Sequence, residues 1–378
     1  MSFSKRMSRI KPSGIRAVQK RIAGKSDMIS FAAGLPDPAL YPLEDLRKAA
    51  DTMLEKEGAT AFAYGLTKGY GPLLDYLTDR MNNREHVECT KENICILSGS
   101  QQGLGLAAMT FLDEGDVVIT ENPSYLGAIN AFRPYGAEFV GVDTDDDGIV
   151  IEDLERALEE NPNTKLIYVI PNFQNPTGKA WTLERRERFM EVVAKYDVAV
   201  VEDNPYGDLR FKGEPLPHLR ALDKKGQVIY LGSFSKILSP GMRVAWTCAS
   251  KEVATAFESL KETNDLQSPE LTQMLTYYYL KMFDLEKHIE EIQVVYKERC
   301  ELMVEMIRKY FPDEIKYTDP EGGMFLWLEL PEGLDSDAIL DDALAAGIAY
   351  IPGESFFSFD GVKNTIRMNF TMVKDDQI

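Results

Sequence analysis

The sequence predicts an α/β protein with two domains. The large domain has a mostly parallel seven-stranded sheet flanked by helices, and a smaller α+β domain is formed by both chain ends. Two observations support this prediction. Between about residues 91 and 247, seven short apolar runs alternate with amphipathic segments of helical period. After residue 268 the pattern becomes long and helical, and strand-like patterns follow it. Strands that alternate with helices indicate βαβ units, and therefore a parallel sheet with helices on its faces.

The seven apolar runs are the predicted strands of the large sheet. They occupy residues 94–97, 117–120, 138–142, 166–170, 198–201, 228–231 and 244–248. Segments of helical pattern lie between several of them, at residues 102–112, 124–135, 151–160 and 183–196. In sheets of this kind, ligands bind beyond the carboxyl ends of the strands. Functional residues are therefore expected directly after the apolar runs.

The domain boundaries follow from where this alternation begins and ends. A chain of 378 residues is long for one compact domain, and we expect a large domain over residues 45–280. Residues 1–44 and 281–378 would form the small domain. Its predicted strands, 323–330 and 365–370, alternate apolar and polar side chains. The early segment 10–33 is expected to pack with them.

The composition argues against several classes of protein. A net charge of −19 argues against binding to nucleic acid or to anionic membranes. No apolar run approaches the ~20 residues of a membrane span, and residues 1–12 lack the apolar core of a secretory signal. Four cysteines, Cys89, Cys95, Cys248 and Cys300, form no C-x-x-C pair, so we expect no metal site. Unpaired cysteines without a leader indicate a reducing cytoplasm.

The tetrapeptide SFSK at residues 233–236 is the strongest functional signal. It follows the apolar run 228–231, and Arg243 comes seven positions after Lys236. A partly desolvated lysine loses its proton readily and can act as an amine nucleophile. Hydroxyls and an arginine suit an anion, most naturally a phosphate. A nucleophilic lysine beside a phosphate site is what an enzyme that uses pyridoxal 5'-phosphate (PLP) needs. The alternative is a solvated lysine after an ordinary serine-rich turn.

Three other predicted strands end in residues that suit the same cofactor. Asp203 follows a fully apolar run, where a carboxylate is costly unless it has a partner, and the PLP pyridinium would be one. Asn175 lies in the loop 171–178, which two prolines and a glycine make rigid, and could donate to a phenolate oxygen. Tyr125 could stack on a planar ring. The alternatives are a loop cap for Asp203, a plain turn residue for Asn175 and a core position for Tyr125.

A turn that opens a helix supplies a candidate anion site. Residues 98–102, with the sequence SGSQQ, follow the first predicted strand, and the free N–H groups and dipole of a helix start attract anions. The next residues match the dinucleotide fingerprint G-x-G-x-x-A. In a true fingerprint the first glycine ends the strand directly, whereas here the turn intervenes. The anion-binding turn is therefore the better interpretation.

Together these motifs resemble those of class I/II aminotransferases in the fold-type I superfamily of PLP enzymes. Within it, the chain is most similar to the subgroup that contains 2-aminoadipate and kynurenine aminotransferases. The resemblance covers nearly the whole chain: FAAGLP at 31–36, Tyr64 with GY at 69–70, the turn 98–102, NPTG at 175–178, DNPY at 203–206, SFSK at 233–236, Arg243 and Arg367. NPTG, the Asp-x-x-Tyr turn and S-x-S-K, in this order and spacing, are specific to it.

The resemblance implies how the cofactor would be held. Lys236 would bind PLP as a Schiff base and then shuttle the substrate Cα proton. Asp203 would pair with the pyridine nitrogen, and Tyr125 would stack on the ring. Asn175 and Tyr206 would hydrogen-bond the ring hydroxyl oxygen. The residues that would contact the phosphate are Ser100, Gln101, Ser233, Ser235 and Arg243, with Gln102 as a further cofactor-binding residue of the turn.

The resemblance also implies a substrate site and a homodimer. Arg367 would bind the substrate α-carboxylate bidentately, with Asn175 and Gly34 beside it. Arg16 matches a position where relatives use an arginine for a side-chain carboxylate, although an arginine on an early helix is more often solvated. Tyr64 would reach the phosphate of the neighbouring subunit, which makes the homodimer the working unit.

Three functions are compatible with this frame. The leading one is an aminotransferase that works by a ping-pong mechanism between an amino acid and a 2-oxo acid. The second is β-elimination or decarboxylation with the same lysine and aspartate. The third, a PLP-sensing transcription regulator, would need a DNA-binding domain before residue 31, where only about thirty residues stand.

The family usually carries another helix after the strand of Arg367, so we expect a trimmed small domain or an absent C-terminus. Aromatic, 2-aminoadipate, glutamate and branched-chain donors all remain open.

Overall fold

A computed structural model describes residues 2–10, 14–24, 28–359 and 361–378 of the chain. The strands are β1 (Ile29–Ser30), β2 (Ile94–Leu97), β3 (Val117–Asn122), β4 (Glu138–Asp143), β5 (Thr164–Val169), β6 (Ala199–Asn204), β7 (Val228–Ser233), β8 (Ala245–Cys248), β9 (Lys316–Tyr317), β10 (Phe325–Glu329), β11 (Ile348–Ala349), β12 (Ile351–Pro352) and β13 (Thr365–Asn369). The helices are α1 (Lys5–Ser8), α2 (Gly14–Ile22), α3 (Leu43–Ala61), α4 (Gly71–Asn83), α5 (Ser100–Phe111), α6 (Leu126–Phe132), α7 (Ile151–Glu160), α8 (Leu183–Val193), α9 (Leu219–Leu222), α10 (Lys251–Asn264), α11 (Glu270–Met282), α12 (Leu285–Tyr310) and α13 (Ser336–Ala345).

The large sheet has seven strands in the order β2-β8-β7-β6-β5-β3-β4. Strands β3 to β7 pair in parallel, and β8 runs antiparallel to both of its neighbours. The predicted mostly parallel sheet of seven strands is confirmed, and each observed strand overlaps one of the seven apolar runs. The parallel strands therefore place their carboxyl ends along one edge, where ligands bind in such sheets.

Helices cover both faces of this sheet, which explains why its central strands are apolar throughout. Successive side chains of a strand point to opposite faces. Ile167 of β5 and Val200 of β6 pack with one buried cluster, whereas Tyr168 and Val201 belong to the other. Asp203 has the same parity as Val201. Its side chain therefore lies on the face that Tyr168 occupies.

Helix α6 is shorter than the sequence predicted. Its helical pattern was expected over residues 124–135, but the α-helix ends at Phe132 and the single 3₁₀ turn Arg133–Tyr135 follows. Pro134 accounts for this ending, because it lacks a backbone N–H and its ring clashes with the preceding helical turn. Tyr125 stands at the N-cap of α6, directly after the strand end of β3.

A second, antiparallel sheet is built from the C-terminal third of the chain in the order β12-β13-β10-β9. The N-terminal segment joins this region, since β1 pairs in parallel with β11. Phe31 extends the pairing: its N–H donates to Ala349 at 2.8 Å, and its carbonyl accepts from the Asn369 N–H at 2.8 Å. Arg367 lies in the middle of β13 opposite Trp327. Both ends of the chain thus meet around the strand that carries this arginine.

The 26-residue helix α12 is amphipathic. Its buried side chains recur at the spacing of one helical face. They are Leu285, Ile289, Ile292, Tyr296, Cys300, Met303, Val304 and Ile307. None of the helices formed by the described residues combines the length and the apolar character that crossing a bilayer requires.

Candidate active site

The carboxyl edge of the large sheet brings together the residues that the sequence analysis singled out. Asp203 lies at the end of β6, and Ser233 ends β7, three residues before Lys236. The loop with Asn175 follows β5, and Tyr125 follows β3. Neighbouring parallel strands end side by side, so residues far apart in the chain meet here.

Asp203 is a buried carboxyl group with one unsatisfied oxygen. Its Oδ2 accepts a hydrogen bond from the Tyr168 hydroxyl at 2.9 Å, whereas its buried Oδ1 has no partner. Burial raises the pKa of Asp203 to about 6, and the Tyr168 hydrogen bond and the Lys236 charge oppose that rise. A buried acceptor without a donor is costly. The site therefore calls for a cationic N–H group beside Oδ1.

Lys236 stands on the same edge with its amine held by a backbone carbonyl. The Nζ donates to the Gly34 carbonyl at 2.9 Å. Burial, together with the cations of Arg367 and Arg243 and against the opposing effect of Asp203, lowers the pKa of Lys236 to about 8. A lysine of ordinary pKa would be almost fully protonated at neutral pH. Lys236 thus keeps a larger share of neutral amine, which is the nucleophilic and basic form.

Asn175 links the aromatic side of the site to Arg367. Its Nδ2 donates to the Tyr206 hydroxyl at 3.3 Å, and its Oδ1 accepts from Arg367 Nη1 at 3.0 Å. Arg367 Nη2 donates to the Ala32 carbonyl at 2.9 Å. These bonds leave the amide of Asn175 little rotational freedom. The side chains that would contact cofactor and substrate therefore form one connected group.

Arg367 is a buried guanidinium held between two aromatic rings. Only 1% of it is exposed, and its Cζ lies 4.4 Å from the ring centroid of Phe325 and 5.0 Å from that of Phe356. Such stacking stabilises a cation. Burial lowers the pKa of Arg367 to about 10, so the group stays charged at neutral pH. Its buried Nε has no hydrogen-bond partner, and an anion beside it would supply one.

The turn before α5 and the segment after Lys236 form the candidate anion cradle. Arg243 Nη2 donates to the Ser98 carbonyl at 3.1 Å, and a Cβ atom at Gly99 would overlap the Arg243 guanidinium. Gly99 also has a φ of +89°, which favours glycine. The buried Ser100 Oγ at the helix start has no partner. Unpaired donors and a nearby guanidinium at a helix N-terminus suit a phosphate.

Ser233 and the two glutamines of the turn take different positions around this cradle. Ser233 Oγ accepts from the Ser235 N–H at 3.1 Å. Gln101 Nε2 donates to the Gly127 carbonyl at 3.0 Å. The Gln102 side chain instead contacts the turn itself, since its Oε1 accepts from the Ser98 N–H at 2.8 Å. Direct contact of Gln102 with a cofactor stays a prediction.

Tyr125 is partly buried against the core, whereas Arg16 and Tyr64 are exposed. Burial and the Asp203 carboxylate raise the pKa of the Tyr125 hydroxyl, and the positive charge of Arg16 acts in the opposite direction. The Arg16 guanidinium on α2 is therefore within electrostatic reach of Tyr125. Tyr64, between α3 and α4, is 86% exposed. Its side chain forms no hydrogen bond with another site residue in the part of the chain that the structure describes.

Two residues that the sequence analysis missed support the strand ends. One is Tyr168, which holds Asp203 from the next strand. The other is Glu121, whose Oε2 accepts from the Ile170 N–H and whose Oε1 accepts from Trp181 Nε1, both at 2.9 Å. Burial raises the pKa of Glu121 to about 7. The available signals were a tyrosine within one apolar run and a glutamate directly after another, because buried polar groups need partners.

The unsatisfied atoms around the site test whether PLP fits it. Three of the buried polar atoms that lack a partner among the described residues belong to residues of this site: Asp203 Oδ1, Ser100 Oγ and Arg367 Nε. An acid suits the pyridinium nitrogen, a hydroxyl suits a phosphate, and a guanidinium suits a substrate carboxylate. With a lysine amine among them, the residues present fit the cofactor.

The fold and this set of side chains define a fold-type I enzyme of the PLP class. The profile of the family "Aminotransferase class I and II" matches residues 26–378. The chain belongs to this family, and it is an aminotransferase that uses pyridoxal phosphate. The predicted family, fold, reaction class and cofactor are thereby confirmed.

The chain is similar to several named aminotransferases over nearly its whole length. The chain is 42% identical to aromatic-amino-acid aminotransferase 1 of Thermococcus litoralis over 100% of this chain and 91% of the relative. It is 40% identical to the kynurenine aminotransferase of Pyrococcus horikoshii in complex with PMP, with a TM-score of 0.95 over 99% of this chain and 93% of the other. LysN, the alpha-aminoadipate aminotransferase of Thermus thermophilus, complexed with N-(5'-phosphopyridoxyl)-L-leucine, is 38% identical with a TM-score of 0.92, over 99% and 94% of the two chains.

Proposed function

We propose that this aminotransferase transfers the amino group of an L-amino acid to a 2-oxo acid by a ping-pong mechanism, with Lys236, Asp203 and Arg367 in the main roles. The observation that carries the proposal is their convergence at one edge of the sheet. A lysine amine held at Gly34, a carboxyl oxygen without a donor and a buried guanidinium come from three separate parts of the chain.

The aromatic and amide side chains would hold the cofactor ring. When bound, pyridoxal phosphate supplies an aldehyde that exchanges amino groups and a ring that withdraws the electron pair left by loss of the substrate Cα proton. Asp203 Oδ1 would hold a proton on the ring nitrogen, with Tyr168 fixing the orientation of the carboxylate. Asn175 and Tyr206 would donate to the ring hydroxyl oxygen. Tyr125 would lie against the ring face and exclude water.

The phosphate would be held by the helix start and by Arg243. Ser100 and Gln101 stand at the first turn of α5, where backbone N–H groups are free to bind an anion. Ser233 and Ser235 would add hydroxyl donors from the segment before Lys236. Arg243 is anchored to the Ser98 carbonyl, so its guanidinium is preoriented beside this turn.

Lys236 would move the proton at the substrate Cα. Its neutral amine is the base, and its lowered pKa makes that form available near neutral pH. The Gly34 carbonyl holds Nζ in place and would do so while the amine is not bonded to the cofactor. Positioning the amine in advance lowers the entropic cost of the proton transfer.

The substrate carboxylate would bind to Arg367 and Asn175, with the Gly34 backbone beside them. Arg16 would contact a carboxylate at the end of the substrate side chain, and its electrostatic reach to Tyr125 supports this position. The names of the similar enzymes point to aromatic amino acids, kynurenine and 2-aminoadipate as donors to test first. An arginine at this place would favour the acidic donor among them.

We further propose that the protein works as a homodimer in the cytoplasm, on small-molecule substrates. Tyr64 would reach the phosphate of the other subunit. Its exposure supports this, as does that of its neighbours Phe62 and Leu66, which are 73% and 72% exposed. Exposed apolar side chains in a cluster are typical of an interface. The four free cysteines support a reducing compartment.

The division into a large domain over 45–280 and a small domain of 1–44 and 281–378 is part of the same proposal. The seven-stranded and the four-stranded sheets support it, since they share no strand. Lys236 and Asp203 would then belong to the large domain, and Arg367 to the small one. The substrate would bind between the two domains.

A panel of L-amino acids with 2-oxoglutarate tests the proposed reaction. An amino acid alone should convert the cofactor once, seen as loss of its visible absorbance, and release one equivalent of the 2-oxo acid. Adding 2-oxoglutarate should restore the absorbance and permit turnover. Release of carbon dioxide, or of ammonia with loss of a β-substituent, in place of this half-reaction would contradict the proposal.

The rate of cofactor capture is expected to depend on pH through Lys236. Only the neutral amine attacks an aldehyde, so the rate constant for binding PLP to the apoprotein should rise with pH and level off above about 8. Replacing Arg367 by alanine removes a cation that lowers this pKa, so the plateau should begin at higher pH. Stopped-flow absorbance measures both profiles. A plateau for the unmodified protein that begins only near the ordinary lysine pKa, about 10.4, would contradict the assignment.

Mixed dimers test the role of Tyr64. Tyr64→Ala is expected to weaken cofactor binding, because a phosphate ligand is lost from the other subunit's site. In a dimer of one Tyr64→Ala subunit and one Lys236→Ala subunit, one site keeps both Lys236 and Tyr64. Random pairing in an equal mixture makes about half of the dimers mixed, and each mixed dimer has one intact site of two. About a quarter of all sites should therefore bind the cofactor normally when it is limiting. No recovery after subunit exchange, with dimer formation verified, would contradict a shared site.

A further inference from the structure

Helix α10 carries a fully buried lysine outside the set of side chains described above. Lys261 has 0% exposure, and its Nζ has three oxygen neighbours: Gln102 Oε1 at 3.2 Å, Asp265 Oδ1 at 3.3 Å and Ser268 Oγ at 3.1 Å. Lysine is almost never fully buried unless it is paired. Burying an ammonium group is costly, and these three acceptors offset that cost. Lys261 and its three acceptors therefore form a polar cluster in which the buried ammonium group is fully paired.

Two of these acceptors also hold Ser98. Gln102 Oε1 accepts from the Ser98 N–H at 2.8 Å, and Ser98 Oγ donates to Ser268 Oγ at 3.0 Å. The third polar group of Ser98, its carbonyl, accepts from Arg243 Nη2 at 3.1 Å. Every polar atom of Ser98 is thus engaged. Lys261 contacts the partners of two of them at once.

Ser98 determines the direction in which the anion cradle opens. It directly precedes Gly99, whose φ of +89° turns the chain into α5, and Ser100, whose buried Oγ has no partner. The free N–H groups of a helix start point along the helix axis. Because Ser98 is held at all three polar groups, the first turn of α5 has a fixed orientation relative to Arg243.

We propose that Lys261 is a positioning residue for the phosphate subsite, acting on Ser98 through Gln102 and Ser268. This inference rests on the proposed function, in which the turn 98–102 holds the cofactor phosphate. Lys261 does not itself touch the anion. Its ammonium group keeps Gln102 Oε1 and Ser268 Oγ in the positions that hold Ser98.

Asp265 is the fourth member of the cluster, and its negative charge attracts the ammonium group of Lys261. Its Oδ1 faces Lys261 Nζ, and its Oδ2 accepts from Gln102 Nε2 at 2.5 Å. Both polar ends of the Gln102 side chain are therefore fixed. Removing the lysine ammonium would leave the buried Ser268 hydroxyl, the Gln102 amide oxygen and the partly exposed Asp265 carboxylate without their shared donor, and an unpaired buried acceptor is costly.

The same short segment also braces the loop that carries Tyr64. The Gly65 N–H donates to Gln267 Oε1, and the Tyr70 N–H donates to Gln273 Oε1 at 2.8 Å. Gln273 Nε2 in turn donates to the Ser268 carbonyl at 2.9 Å. Ser268 thus contacts the cradle of its own subunit through its hydroxyl, and its carbonyl binds Gln273, which holds the Tyr70 N–H at the end of the loop of Tyr64.

Comparison of PLP with pyridoxal, which lacks the phosphate, separates positioning of this subsite from a general structural role. Lys261→Met keeps most of the side-chain volume but removes the charge and the donors. In the full-length apoprotein, Lys261→Met is expected to weaken PLP binding about 10- to 100-fold, as for loss of hydrogen bonds to charged groups. Binding of pyridoxal should be unchanged. Absorbance titration gives both dissociation constants.

Three further variants make each outcome decisive. Lys251→Met lies on the same helix but is exposed and paired with Glu92, so both constants should match those of the unmodified protein. Arg243→Ala should weaken PLP but spare pyridoxal if the proposed cradle is correct. Ser268→Ala removes one hydroxyl and should weaken PLP in the same selective way as Lys261→Met, by a smaller factor. It decides the question if Lys261→Met does not fold.

The results that would overturn the inference differ from those that would overturn the cradle. If Arg243→Ala weakens PLP selectively while Lys261→Met, or Ser268→Ala in its place, leaves the ratio of the PLP and pyridoxal constants unchanged, Lys261 is not a positioning residue and the cradle stands. An equal loss for both ligands also refutes it, because that is the signature of a general structural role. If Arg243→Ala leaves the ratio unchanged, the proposed phosphate site itself is wrong.

Discussion

Replacing Lys236 by alanine is expected to remove the visible absorbance of the lysine-bound cofactor and to lower the transamination rate by up to about 10⁴-fold. The size follows from the loss of a positioned general base, which contributes about 10² to 10⁴ in rate. The amine lies 2.9 Å from the Gly34 carbonyl, and its pKa is lowered to about 8. In the described part of the site it is the amine on the edge where Asp203 and Arg367 converge.

The cofactor itself should still bind to the Lys236→Ala protein. The cradle at Ser100 and Arg243 and the carboxylate of Asp203 are unchanged by this substitution. We therefore expect PLP to remain bound with the spectrum of a free aldehyde. Loss of the band with retention of the cofactor, measured by absorbance after gel filtration, distinguishes the role of the amine from a folding defect.

Two further substitutions serve as a second test of the amine and as a control. Lys236→Arg keeps a positive charge, but arginine is not deprotonated in proteins, so the visible band should be lost as well. Lys195→Ala removes an exposed lysine that is paired with Glu155, and both band and rate should stay unchanged. A normal visible band in the Lys236→Ala protein would show that another group binds the cofactor.

The large sheet could be predicted from the sequence because each of its strands is recognisable from its own residues. Strands buried on both faces must be apolar throughout, so each strand of the large sheet appears as an apolar run. Asp203 was visible for the same reason, since a carboxylate two residues past the end of such a run is costly without a partner. The residues of β8 do not indicate that it runs antiparallel to its neighbours. It does follow from the connection: only residues 234–244 join β7 to β8, which is shorter than a helical crossover between parallel strands requires.

The supporting residues could not be predicted, because their partners are distant in the chain. Tyr168 meets Asp203 only after two strands align, 35 residues apart. Lys261 lies on an amphipathic helix, where a lysine is usually solvated, and its contact with Gln102 spans 159 residues. No local pattern separates such a residue from its exposed neighbours. Its place becomes visible only when the helix packs beneath the turn at Ser98.

Substitution of Arg367 is expected to raise the Michaelis constant for every amino acid donor. Arg367→Ala removes one partner of a buried, charged hydrogen-bonded pair, which costs about 2–5 kcal/mol and corresponds to about 30- to several-thousand-fold. The guanidinium is already oriented to bind the substrate carboxylate. Nη1 is held by Asn175, Nη2 is held by the Ala32 carbonyl, and the Nε remains without a partner.

Lysine is not expected to replace this arginine. The flat guanidinium lies between the rings of Phe325 and Phe356, and it contacts two acceptors while it presents a further N–H. A lysine ammonium is a compact charge that cannot present two parallel donors to a carboxylate. Arg367→Lys should therefore recover only a small part of the loss in kcat/KM.

A donor without a carboxylate provides the decisive control. A simple primary amine that matches the substrate side chain cannot bind through Arg367, so its already low rate should be the same in the Arg367→Ala protein and in the unmodified protein. Arg308→Ala, which changes an exposed arginine on α12, should leave the constants of both kinds of donor unchanged. If Arg367→Ala slows the amine as much as it slows the amino acids, the arginine supports the site as a whole and does not bind the carboxylate. An unaltered Michaelis constant for amino acids would remove Arg367 from the site altogether.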